Sequence, residues 1–216
     1  MIPKKTDPRT RTGGAGTPQF IEALQWDNGR WIWLLLIVVF LHALLAMGDS
    51  ATLMLQYDRA AIGAGGWWRL LTAHMVHLDL HHLVLNELGL VLLWALFAAD
   101  YDAVDWLIVC ASAALAISCG LWYLSPGVTW YVGASGLLHA VMAAGIVRHL
   151  TLRAWDRWIL LAAFLGKLAL ERYRFSHGQA APLVVGDAHL YGAAAGFLAG
   201  AALCWRLAII RRRIAS

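Results

Sequence analysis

The feature that most limits the fold is a series of apolar runs, each near bilayer length and separated by charged or turn-rich stretches. A helical span needs roughly 20 mostly apolar residues, within a range of about 17 to 25. Six runs meet or approach that length: Trp31–Met47, His82–Ala99, Trp106–Leu124, Ser135–His149, Trp158–Leu170 and Ala188–Ile210. Composition agrees, since only 14% of residues are charged, where soluble domains carry about 25%. The expectation is an all-α polytopic membrane protein with six transmembrane helices over residues 31–213 and no separate soluble domain. The bilayer is its expected partner, and nucleic acid is not.

Residues 1–30 are basic and rich in Pro, Gly and Thr. They read as a flexible cytoplasmic tail, because a signal peptide would bring its apolar core earlier. Cys110, Cys119 and Cys204 fall inside apolar runs without C-x-x-C spacing, which assigns them structural roles. Six spans place both termini on one side. Twelve of the 17 Lys and Arg then fall on that side, in the tail, around Arg148–Arg157 and beyond Arg206. Basic loops stay cytoplasmic, so Ser135 is expected just below the outer surface.

Ionisable and polar groups inside a span are costly and by default mark function. Three clusters qualify. One is Gly133-Ala134-Ser135-Gly136 with His139. A second is "WWRLLTAHMVHLDLHHLVLN", ending in His82 and Asn86. The third is "GDAHLYGAAAGFLAG", carrying His189, Gly192, Gly196 and Gly200. Offsets of 3, 7 and 11 from His189 put all three glycines on the histidine's face, and such a face lets a second helix approach closely. Gly136, Ala140, Ala143 and Ala144 offer a partner surface. Pressed together, the two helices would bring Ser135 to His189, and a serine becomes a competent nucleophile when a base takes its proton.

Plainer readings stand beside this one. A serine in a span often bonds a carbonyl one turn back, and a lone histidine often bonds a neighbour. Asp187 reads as an N-terminal cap of the last helix. His82 and Asn86, four apart, share a helix face and can both donate to a developing oxyanion, as can the Ser135 amide. A metal reading competes here: His74, His77 and His81 lie close together, with Asp79 and Glu87 nearby, and imidazole suits zinc. H-E-x-x-H is absent, so no metal or other cofactor is expected.

The clusters together, in this order and covering the chain from Trp31 onward, resemble the rhomboid family of intramembrane serine proteases. Trp68-Arg69 is similar to the Trp-Arg pair of the family's first loop. His82-x-x-x-Asn86 matches its H-x-x-x-N, with His77 at an upstream family histidine. Gly133-x-Ser135-Gly136 matches G-x-S-G, and Ala188-His189-x-x-Gly192-x-x-x-Gly196 matches A-H-x-x-G-x-x-x-G. The resemblance implies the six-helix rhomboid fold, Ser135 as nucleophile and His189 as general base, without an acidic third member. It also implies an oxyanion hole of His82, Asn86 and the Ser135 amide. The first loop, with Trp67 and Trp68, would lie partly in the membrane, and the fifth helix would gate lateral access for a substrate helix.

One position departs from many rhomboids: His139 stands where a tyrosine stacks on the catalytic histidine. Being four residues from Ser135, it competes with His189 as base. With Lys167 and Glu171 on the fifth helix, the run G-A-S-G-L-L-H resembles the rhombosortase branch. That resemblance implies a bacterial inner-membrane enzyme opening to the periplasm. Its substrates would be membrane-anchored secreted proteins, trimmed of a C-terminal sorting tail made of Gly-Gly, a span and a basic end. Lys167 and Glu171 read most simply as an intrahelical ion pair, with substrate recognition as the functional alternative. The rival readings are a catalytically inactive relative that binds membrane clients and a metal-handling protein built on the His74–His82 cluster.

Overall fold

The structure, a computed structural model, describes residues 30–178 and 185–215. The expected basic tail, apart from Arg30, and residues 179–184 of the outer loop lie outside them. In chain order the elements are α1 (Arg30–Ala46), α2 (Asp49–Leu55), β1 (Tyr57–Asp58), α3 (Arg59–Gly63), α4 (Arg69–Thr72) and α5 (Leu80–Phe97). There follow α6 (Ala103–Tyr123), β2 (Trp130–Tyr131), α7 (Ser135–Leu152), α8 (Arg157–Ser176) and α9 (Gly186–Ala215).

Among the described residues four helices, α5, α6, α7 and α9, are long and apolar enough to cross a membrane. A fifth apolar stretch joins α1 to α2 through a bend of 107°. Gly48 makes that break, at φ 75°, where a side chain is disfavoured. The expected fifth span differs from its reading. Helix α8 runs 20 residues, past Leu170 to Ser176, and carries Arg157, Lys167, Glu171, Arg172 and Arg174. Those charges leave it too polar to count as a span by composition. The protein is a multi-pass membrane protein, and its outward faces carry Leu35, Leu88, Leu107 and Leu198, all exposed.

Lipid tails are as apolar as leucine, so helices associate by close packing of small residues. Helix α7 supplies that surface: Ala140, Ala143 and Ala144 have no exposure at all. Helix α9 meets it in a regular register. A Cβ on Gly192 would lie 2.1 Å from the Gly136 carbonyl oxygen, one on Gly196 2.2 Å from that of Ala140, and one on Gly200 2.9 Å from the Ala144 Cα. The two helices therefore run parallel, with the starts of both, at Ser135 and Gly186, at one end. Arg148, Arg153 and Arg157 sit toward the opposite end with Arg206 and Arg211.

The first loop is tied to the head of α7. Strand β1 pairs antiparallel with β2, Tyr57 opposite Tyr131 and Asp58 opposite Trp130. The Arg59 guanidinium donates to the carbonyls of Leu121, Trp122, Ser125 and Val128, closing the end of α6 over the same strand. Asp79 caps α5 by accepting from the His82 amide at 2.7 Å.

Candidate active site

Ser135 is the first residue of α7, reached from β2 through Val132, Gly133 and Ala134. Gly133 must be glycine for two reasons. Its φ is +112°, and a Cβ there would lie 2.7 Å from the His82 Cε1. Its amide donates to the Ala73 carbonyl at 3.0 Å, and its carbonyl accepts from the Tyr131 hydroxyl at 2.7 Å. The turn is thus held from both sides, and the Ser135 N–H heads the helix, where no i−4 carbonyl is available to it.

The α7–α9 register brings His189 to the serine. The Ser135 hydroxyl donates to His189 Nε2 at 2.8 Å, rather than to a carbonyl one turn back. His189 is buried, 6% exposed. Its Nδ1–H donates to Glu171 Oε2 at 3.0 Å, which corrects the expectation that no acidic group accompanies the pair. Glu171 comes from α8, so an intrahelical reading of Lys167 and Glu171 captures only half of its contacts. That ion pair is present, and Lys167 Nζ also donates to His139 Nε2 at 2.7 Å.

His139 stacks on His189, with ring centroids 4.1 Å apart and planes 13° from parallel. Its Nδ1–H donates to the Ser135 carbonyl at 2.7 Å. Both His139 nitrogens are therefore engaged, and neither faces the serine hydroxyl.

His82 and Asn86 line the same cavity of about 570 Å³ as Ser135, His139, Lys167 and His189. The rest of its wall is apolar, including Leu85, Leu92, Leu138, Met142 and Phe164. The cavity lies between α5 and α8, with α7 behind. Asn86 Nδ2 donates to the His82 carbonyl at 2.9 Å, leaving its second N–H for another acceptor. His82 packs against Gly133, and the His77 ring meets it edge-on at 5.2 Å.

His77 is buried with neither ring nitrogen partnered. Burial first, and then the neighbouring His82, lowers its pKa to about 4. Burial lowers that of His74 to about 4 as well. His74 Nε2 reaches the Ala114 carbonyl on α6 at 3.3 Å, and His81 is exposed, so these histidines do not gather as a ligand set. Asp79 is the α5 cap and Glu87 pairs with His42 at 3.0 Å. Among the described residues the one set of metal-ligating atoms lying near one another is His139, Glu171 and His189. The stacked rings of that set direct their in-plane lone pairs side by side rather than at one point.

Trp68 and Arg69 sit away from the serine and brace the first loop. Trp68 Nε1 donates to the Met54 carbonyl at 3.2 Å, and Arg69 donates to those of Leu53 at 2.7 Å and Gln56 at 3.0 Å. Trp67 and Trp68 are exposed. Asp187 differs from its reading as a cap: it accepts from the Ser125 hydroxyl at 2.6 Å and from Arg172 at 3.4 Å. No sequence pattern marks Tyr131, whose place beside Gly133 follows from the β1–β2 pairing.

The family model described as Rhomboid domain matches residues 64–206. A search of the curated proteins finds no match.

Proposed function

The chain belongs to the rhomboid family, a family of intramembrane serine proteases acting on membrane proteins within the bilayer, and from that premise we propose that it is an active serine endopeptidase. The observation that carries this reading is the 2.8 Å contact between Ser135 Oγ and His189 Nε2 at the wall of a cavity open between two helices.

In this reading His189 Nε2 takes the Ser135 proton as Oγ attacks the scissile carbonyl. The developing oxyanion is met by the Ser135 N–H, with His82 and Asn86 alongside; losing one such donor in a hydrolase costs about 10²- to 10³-fold in rate. His189 then hands the proton to the leaving amine, and water, activated by the same imidazole, hydrolyses the acyl-enzyme. The substrate helix enters between α5 and α8, with α8 as the sixth membrane-crossing helix in spite of its charges. The contacts of Lys167 and Glu171 with His139 and His189 at the site, which leave Arg172 and Arg174 to the outer boundary, support that placement.

The proposed substrates are membrane-anchored proteins with a C-terminal Gly-Gly sorting tail, cut near the outer face of a bacterial inner membrane, with both termini of the enzyme cytoplasmic. The resemblance of G-A-S-G-L-L-H, Lys167 and Glu171 to rhombosortases supports this. So does the physics of the cut: a helix must unwind before its backbone can be attacked, and glycine weakens a helix by about 1 kcal/mol relative to alanine. The basic end of α9, opposite Ser135, supports the orientation.

The test is cleavage of a single-span, Gly-Gly tail-bearing substrate by the purified protein, with Ser135→Ala, His189→Ala and His139→Ala variants and a chelator. The serine mechanism predicts that Ser135→Ala and His189→Ala are inactive while His139→Ala retains measurable turnover. Full cleavage by Ser135→Ala would overturn it.

A further inference from the structure

The polar contacts around Ser135 close into a circuit through three helices. The Ser135 hydroxyl donates to His189 Nε2, and His189 Nδ1–H donates to Glu171 Oε2. Lys167 binds the other Glu171 oxygen and donates to His139 Nε2. His139 Nδ1–H returns to the Ser135 carbonyl. We propose that Glu171 is the positioning residue for His189, so that the centre is a Ser–His–Glu triad assembled from α7, α9 and α8, with Lys167 and His139 holding the carboxylate in place.

The inference rests on Ser135 as nucleophile and His189 as base, and adds a requirement to them. A neutral imidazole serves as base at Nε2 only when its proton sits on Nδ1. Glu171, an acceptor at 3.0 Å, selects that tautomer and fixes the ring's rotation. When Oγ bonds to the carbonyl carbon, the carbonyl π pair moves to oxygen and the serine proton moves to Nε2. The resulting imidazolium then lies against a carboxylate. Glu171 takes no proton at any step, as the acidic member of other Ser–His–acid triads does not.

Lys167 explains how a carboxylate can wait there ionised, because its ammonium balances the charge at the second oxygen. The same ammonium occupies the His139 lone pair. His139 therefore cannot accept the serine proton, and its part is to stack against His189 and anchor Lys167. The arrangement also ties chemistry to the seating of α8. That helix contributes both Lys167 and Glu171, yet among its residues only Phe164 is buried.

The test uses the full chain, a single-span peptide with Gly-Gly at its outer end and basic residues at the other, and a fluorophosphonate probe. Glu171→Gln is close to isosteric and removes the charge. The triad predicts a fall of about 10²- to 10⁴-fold in kcat and a parallel fall in the probe's labelling rate, with KM and melting temperature unchanged. Glu171→Asp, which keeps the charge on a shorter stem, lies between Gln and wild type on both readouts. It carries the same test if Glu171→Gln does not fold. Wild-type kcat and labelling in Glu171→Gln would overturn the proposal while leaving the Ser–His pair intact. A rise in KM alone would also overturn it, by making Glu171 a substrate contact. Loss of the pair itself is read separately, as cleavage persisting in Ser135→Ala.

Discussion

Replacing Gly192 by alanine probes the contact on which the site's geometry depends. A Cβ there would stand 2.1 Å from the Gly136 carbonyl oxygen and 2.9 Å from its carbon. Both are backbone atoms of α7 and neither can rotate away. Ordinary contact begins near 3.4 Å, so α7 and α9 must part locally by about 1.3 Å. Gly192 lies one turn beyond His189, and Gly136 directly follows Ser135. The same displacement would stretch the 2.8 Å Ser135–His189 contact toward about 4 Å, beyond hydrogen-bond reach.

A misplacement of that size at a reacting pair costs about 10²-fold in rate, and the overpacking destabilises by about 1–3 kcal/mol. Gly200→Ala, whose Cβ would meet Ala144 Cα at 2.9 Å, is the milder case at the far end of the seam. Gly166→Ala on α8 meets nothing within 4 Å and serves as the control. The assay is kcat on a single-span substrate, with melting in detergent for each variant. The expected order of loss is Gly192→Ala, then Gly200→Ala, then Gly166→Ala at wild-type activity. Gly192→Ala turning over within twofold of wild type would refute the account of the seam.

Three further outcomes follow. His74 and His77, with pKa values held near 4 by burial, protonate first in the unfolded chain. They leave stability independent of pH above about 6.5, and below it stability falls as pH drops toward 4, by about 1.4 kcal/mol per pH unit for each. His77→Phe should remove about half of that slope in melting curves, and an unchanged slope would contradict it. Arg59→Lys loses the fork that reaches four carbonyls and should destabilise by about 2–3 kcal/mol, read as a lower melting temperature. Treatment with a chelator should leave turnover unchanged, because His139 and His189 stack rather than converge on an ion; loss of activity restored by zinc would refute this.

Much of the fold was legible because membrane helices announce themselves by length and apolarity, and because glycine at four-residue spacing marks a close helix contact. Gly192, Gly196 and Gly200 gave the α7–α9 seam in this way, and the seam gave Ser135 its histidine. The apolar run of the fifth helix was read too short, since Arg172 and Arg174 look like a loop when only hydropathy is counted. Its charges are instead turned inward to His189 or outward to Asp187. The role of Glu171 was not legible because its partner lies on α9, and no local spacing encodes a contact between helices. The β1–β2 pair was illegible for a related reason: two residues per strand carry no alternation, and the pairing spans more than seventy residues.

The central claim is that His189 activates Ser135. Intact-protein mass spectrometry after fluorophosphonate treatment tests it most directly. The account predicts one adduct, mapped to Ser135, in the wild-type chain and in Gly166→Ala, and none in Ser135→Ala or His189→Ala over the same time. An adduct on another residue, or labelling of Ser135 at the wild-type rate in His189→Ala, would contradict it.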